Sequence, residues 1–172
     1  MAWATADIQI GNVVIDLPQA MSVRHAYADD EGGTVDLRAA SGALKRRSYW
    51  TRITCTLEGE GYTDVGLSCL DWTQPQIVKC GSARSLQSPT NTATLPSARR
   101  TDAAVTALAL VDGYPVLTPV TLAGDTATAT PVAGAYAYTF SYYPQFLAYV
   151  KKPESVDRAS GKRSWSVVAR EI

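Results

Sequence analysis

The stretch Arg46–Gly61, RRSYWTRITCTLEGEG, holds the longest clean alternation in the chain. Tyr49, Thr51, Ile53, Cys55 and Leu57 fall on one side of a period-2 pattern, and Ser48, Trp50, Arg52, Thr54, Thr56 and Glu58 fall on the other, as the side chains of a strand must. The pattern predicts a half-buried antiparallel strand, longer than the usual five or six residues. Its second face sets Trp50 and Arg52 among hydroxyls, a mixture suited to another protein surface rather than to open water.

Outward from this strand the signals remain those of a β protein. Thr34–Ala40 alternates, with Val35, Leu37 and Ala39 on one face, and Ser41–Arg47 reads as a basic, Gly-containing loop. Residues 34–58 therefore read as one β-hairpin with a long tip. Asp29, Asp30, Glu31, Gly32 and Gly33 form an acidic turn at one end, and Lys45, Arg46 and Arg47 mark the other. Further upstream, Asp7–Leu17 carries two β-rich pieces around Gly11-Asn12, a tight-turn signal, and Pro18 ends them. Gln19–Ala28 reads either as an extended arm or as part of a strand.

Downstream, Tyr62–Trp72 is the helix candidate: Leu67 and Leu70 lie near helical spacing, Thr63 or Asp64 offers a cap, and Pro75 stops it. Gln76–Cys80 reads as a short strand. Gly81–Thr101 is polar, holds Arg84, Arg99 and Arg100, and reads as an arm or loop, because a structureless connection of that length inside a domain is usually functional. Asp112-Gly113 between apolar β-formers predicts a hairpin. Ala135–Tyr143 places Tyr136, Tyr138, Phe140 and Tyr142 on one face, a row that reads as core or interface wall. Lys151–Lys162 reads as a polar loop around Pro153. Arg163–Glu171 closes the chain, with Trp165, Val167 and Ala169 opposite Ser164, Ser166, Val168 and Arg170.

The chain has 172 residues, enough for a single domain that buries roughly two thirds of its unfolded surface. Sixteen basic and sixteen acidic residues balance, so no whole-chain field recruits nucleic acid or an anionic membrane. No run approaches the length of a membrane span, and Met1–Ala6 lacks the character of a secretory leader, so folding in a cytoplasm is expected. Cys55, Cys69 and Cys80 lack CxxC spacing, and His25 is the only histidine; free, mostly buried thiols are expected, with no metal and no cofactor. His25 stands in no nucleophile motif such as GxSxG. Asp29, Asp30 and Glu31 lack calcium-loop spacing, and Gly59, Gly61 and Gly66 form no phosphate-binding pattern. An enzyme therefore lacks a site.

The hairpin at 34–58, the single helix candidate after it, and the closing run FSYYPQFLAYVKKPESVDRASGKRSWSVVAREI, with Ser164-Trp165-Ser166 ahead of Glu171, resemble tail proteins of long-tailed bacteriophages, of the distal-tail and tail-tube-like baseplate kind. The resemblance implies an antiparallel β-sandwich or barrel with one flanking helix. It also implies a structural virion protein that forms a hexameric ring, continues the DNA channel and connects the tail tube to the baseplate hub. DNA would pass through it without specific contact, and no membrane would be involved. The hairpin lacks the acidic excess of a tube lumen, which points to a distal-tail position. Subunit contacts are expected from Trp50, Arg52, Arg46, Arg47, Tyr136, Tyr138, Arg84, Arg99 and Arg100. A head-to-tail completion protein is the rival of the same class. A carbohydrate-binding β-sandwich that uses Trp50, Trp72 and the tyrosines as sugar platforms is the rival of another class.

Overall fold

The computed structural model describes residues 6–15, 22–32, 35–61, 65–151, 154–156 and 161–172. In chain order the strands are β1 (Ile8–Ile10), β2 (Val13–Ile15), β3 (Ser22–Gly32), β4 (Val35–Arg38), β5 (Leu44–Arg47), β6 (Trp50–Gly61), β7 (Gln76–Lys79), β8 (Arg84–Ser88) and β9 (Thr92–Thr94). They continue as β10 (Thr106–Val111), β11 (Tyr114–Thr118), β12 (Val120–Ala123), β13 (Thr126–Ala129), β14 (Ala135–Tyr142), β15 (Gln145–Lys151), β16 (Glu154–Val156) and β17 (Arg163–Glu171). The fold is all-β and antiparallel, in line with the alternation in the sequence; no closed barrel is seen among the described residues. The chain divides into two compact units: Met1–Gln9 with Val78–Phe146, and Ile10–Ile77 with Leu147–Ile172.

The second unit is arranged around β6. β3 pairs with it along the whole length, from Ser22 opposite Glu60 to Gly32 opposite Trp50. On its other edge β17 pairs from Arg163 opposite Gly61 to Arg170 opposite Thr54. β15 and then β16 pair with the far edge of β17. Because antiparallel partners share a face, Cys55, Leu57 and Gly59 of β6 lie on the same side as Trp165, Val167 and Ala169 of β17 and Ala148 and Val150 of β15, and all of them are buried. The predicted two-faced strand is present, although both faces of its first three residues are exposed.

The partner of β6 is not the one the sequence suggested. The 34–40 alternation does make a strand, β4, but β4 pairs with β5 (Val35 opposite Arg47, Leu37 opposite Lys45), and the expected basic loop is itself half strand. Gly42, at φ 81°, lets the chain reverse sharply between them. A short local turn closes this small hairpin with far less chain than a return to β6 would need. The expected acidic turn is likewise the end of β3, as far as it lies within the described residues.

The expected helix over 62–72 shrinks to one 3-10 turn at Leu67–Cys69, and residues 62–64 lie outside the described residues. Gly66 takes a left-handed φ of 76° just where a helix would have to propagate, so the near-helical spacing of Leu67 and Leu70 serves a turn that buries both.

The first unit is a small sandwich. One sheet has the order β11-β10-β14-β8, the other β12-β13-β9. Its core joins Tyr138, Phe140 and Tyr142 of β14 to Ala107, Ala109, Ala127, Ala129 and Leu95. Ala107 and Ala109 stand opposite Phe140 and Tyr138 within the one sheet, and small side chains beside large rings suit close packing. Asp112 (φ 50°) and Gly113 (φ 82°) make the predicted turn between β10 and β11, with both central residues at the positive φ that suits the twist of a hairpin. The stretch 81–101, expected as an arm, instead carries β8, paired with β14, and β9, paired with β13. Its polar Ser and Thr residues serve as edge-strand and turn residues, which composition does not distinguish from a loop.

Candidate functional site

Two exposed features of the second unit stand out, and the expected contact residues sort around them. The first is the β4–β5 hairpin. Every residue of both strands is exposed, including the apolar Val35, Leu37 and Leu44. Arg46 grips Asp36 through Nε and Nη2 at 2.9 and 3.1 Å, and this contact holds the Asp36 carboxyl below its usual range. Arg38, Lys45 and Arg47 add to Arg46 to give the hairpin an excess of positive charge. Tyr49, just beyond it, is 71% exposed.

The second feature is an open groove of about 460 Å³ lined by Asp30, Trp50, Arg52, Thr54, Arg170 and Glu171. The ladder explains why these residues converge. Arg52 lies opposite Asp30 and Thr54 opposite Arg170, so β3, β6 and β17 send them to one face. Glu171 completes the ladder with its side chain, Oε2 accepting the Ile53 N–H at 2.8 Å. The Thr54 hydroxyl donates to Asp30. Trp50 occupies the space a Gly32 side chain would fill: a Cβ there would lie 1.8 Å from the indole Cε2 and Cζ2.

Of the other expected contact residues, Tyr136 is exposed and Arg84 half-buried. Tyr138 is a core residue instead, its hydroxyl accepting the Val132 N–H at 3.1 Å. Arg99 and Arg100 are spent inside the first unit. Arg99 binds Asp125 at 2.6 Å and the carbonyls of Pro96 and Gly124, and thereby fastens the turn between β12 and β13. Arg100 is 8% exposed and donates to both oxygens of Asp102 and to the carbonyls of Asp7 and Cys80. Arg100 first, and Lys79 at 2.9 Å second, hold the Asp102 carboxyl far below its usual range. A buried arginine saturated by four such acceptors is a brace, not a docking group. Polar composition marked these residues, but sequence gave no sign that their partners were internal.

His25 faces inward from β3, opposite Leu57, and stacks on Tyr27 with ring centroids 5.3 Å apart. A ring nitrogen of His25 lies within 4.8 Å of the Cys55 sulfur, and among the described residues no disulfide joins the cysteines, of which Cys55 and Cys80 are buried and Cys69 is exposed. Sequence reasoning missed Asp30, Thr54, Arg170 and Glu171 as groove residues. The signal was the register of three strands far apart in the chain, which no local pattern carries. Among the described residues no helix is long and apolar enough to cross a membrane. No protein-family model and no curated protein matches the sequence. Fold and surface together define an all-β chain with an exposed basic hairpin and a mixed-charge groove.

Proposed function

We propose that this chain is a structural protein of a long-tailed phage virion, a distal-tail or tube-like subunit that closes into a ring at the baseplate, continues the DNA channel and joins tube to hub, with no catalysis of its own. The observation that carries this reading is the β4–β5 hairpin. Two strands alone are marginal in water, yet this pair presents Val35, Leu37 and Leu44 outward. Such a hairpin is stabilised by laying one face on a neighbour: Val35 and Leu37 share a face with Lys45 and Arg47, and Leu44 lies on the other with Arg38 and Arg46. Its basic residues favour an acidic counterpart on a different patch of the neighbour; Glu58 and Glu60 are exposed carboxylates of the same unit, with Arg24 opposite Glu58 and Lys162 at 3.7 Å from Glu60. A contact between two different patches of one chain is head-to-tail, and rotation closes such contacts into rings. The resemblance to tail proteins adds the virion setting.

The test is solution mass by light scattering, with negative-stain imaging of the same sample. A ring of about six subunits with an open centre is the expected result. A strict monomer at high protein concentration, also when mixed with purified tail tubes and hubs, overturns the reading.

A further inference from the structure

We propose that the groove of the second unit is a saccharide subsite, in which Trp50 stacks on the apolar face of a pyranose ring and Arg52, Arg170, Asp30 and Glu171 hydrogen-bond its hydroxyls. The inference goes beyond the assembly reading and uses no residue of the β4–β5 hairpin, so either can fail alone.

The first argument is the platform. Trp50 packs one side of its indole onto the backbone at Gly32, in the space that any other residue would fill with a Cβ. The ring is nevertheless 48% exposed. An aromatic plate braced from behind and open in front costs little order when a flat ligand settles on it. A tryptophan needed only to fill the sheet surface would not require a glycine across the ladder.

The second argument is the set of polar groups beside it. Among the described residues the Arg170 guanidinium has no hydrogen-bond partner, and Arg52 makes only a long bond of 3.5 Å to the Thr51 carbonyl. Beside them stand two carboxylates that each hold a single internal donor, Thr54 on Asp30 and Ile53 N–H on Glu171, with further lone pairs open. Planar donors and planar acceptors side by side match a ring whose every hydroxyl both donates and accepts. The groove's size is in the range of small-ligand sites.

The third argument decides against nucleic acid. An indole and two guanidiniums also suit a stacked base and its phosphates. Asp30 and Glu171 line the same groove, and each would face a phosphodiester at close range. Like charges there cost binding, whereas a sugar hydroxyl finds an acceptor.

The experiment titrates the purified full chain with three kinds of probe, following tryptophan fluorescence and confirming by calorimetry: neutral hexose oligosaccharides (maltotriose and chitotriose), oligogalacturonate, and a dodecamer of deoxythymidine. At least one saccharide is expected to bind in the range of about 10 μM to 1 mM. Trp50→Ala and Arg170→Gln are each expected to weaken that binding at least tenfold, and Gly32→Ala, which displaces the indole without removing it, to weaken it similarly. Unchanged circular dichroism in these variants separates lost binding from lost folding. The proposal is overturned if no saccharide binds up to about 10 mM, if only the oligonucleotide binds, or if saccharide binding survives both Trp50→Ala and Gly32→Ala.

Discussion

Trp165 lies opposite Gly59 in the β6–β17 ladder, and its indole fills the place of the missing side chain: a Cβ on Gly59 would come within 2.3 Å of Cζ2. Trp165 is only 4% exposed and is hemmed in by the core of the second unit. Gly59→Ala is therefore expected to destabilise that unit by about 2 kcal/mol, since overpacking a full core forces strain. Gly32 repeats the arrangement with Trp50 at an even shorter 1.8 Å, yet Trp50 is exposed and free to swing outward. Gly32→Ala should cost less than about 1 kcal/mol. Urea midpoints of the two variants check the order, which inverts the order of the distances.

In the first unit, Phe140 is fully buried in a core that includes Ala107, Ala109, Ala127 and Ala129, and Tyr136, on the same strand, is 58% exposed. Phe140→Ala should cost about 3–5 kcal/mol, because the rigid layers cannot close over the cavity. Tyr136→Ala should stay within about 0.5 kcal/mol. Thermal or chemical denaturation of the two variants measures the contrast. Equal effects would mean that the aromatic row acts as one surface rather than as core with an exposed end.

The β class and most strand positions were legible because burial on one face imposes a two-residue period, as in β6, β14 and β17. Turn chemistry was legible at Asp112-Gly113, where positive φ restricts the residue types. Pairing was not. Nothing in the alternation of 34–40 says whether its partner is β6 or the segment four residues away, and the local turn decided it. The 62–72 helix failed because a glycine that sequence counts as a small penalty adopts a φ that ends propagation. The groove was half legible: Trp50 and Arg52 drew notice as an unusual outward face, while Arg170 and Asp30 join them only through register.

The Asp102 carboxylate carries the clearest expectation about pH. Arg100 and Lys79 depress its folded-state pKa below the ordinary 3.8. A depressed carboxyl contributes stability that is fully present above the unfolded value and is lost as pH falls through the folded one. The first unit should therefore weaken from about pH 4 downward. Asp102→Asn should remove most of this acid dependence and also lower stability at neutral pH by about 2 kcal/mol, since it leaves the buried Arg100 without its anion. Acid titrations of wild type and variant, followed by circular dichroism, measure both. An acid limb unchanged in Asp102→Asn would assign that dependence to other carboxyls.

The hairpin separates stability from assembly most cleanly. Leu37 and Leu44 are about half exposed, on strands that pair only with each other among the described residues. Replacing both with Asp removes no core contact, so the melting temperature of the dissociated chain should hardly move. If the hairpin is stabilised by a neighbour, the same change puts one charge into that contact whichever face makes it, because Leu37 and Leu44 lie on opposite faces, and desolvation of a charge without a partner is costly. Leu37→Asp/Leu44→Asp should then abolish the ring while the monomer stays folded. Arg46→Ala, which removes the exposed grip on Asp36, should slow assembly and change its salt dependence more than it weakens the finished ring, as charges at a rim do. Light scattering across a salt series distinguishes these outcomes. A double variant that still closes rings would remove the hairpin from the interface and leave the outward face of β6 and β17 as the surface to mutate next.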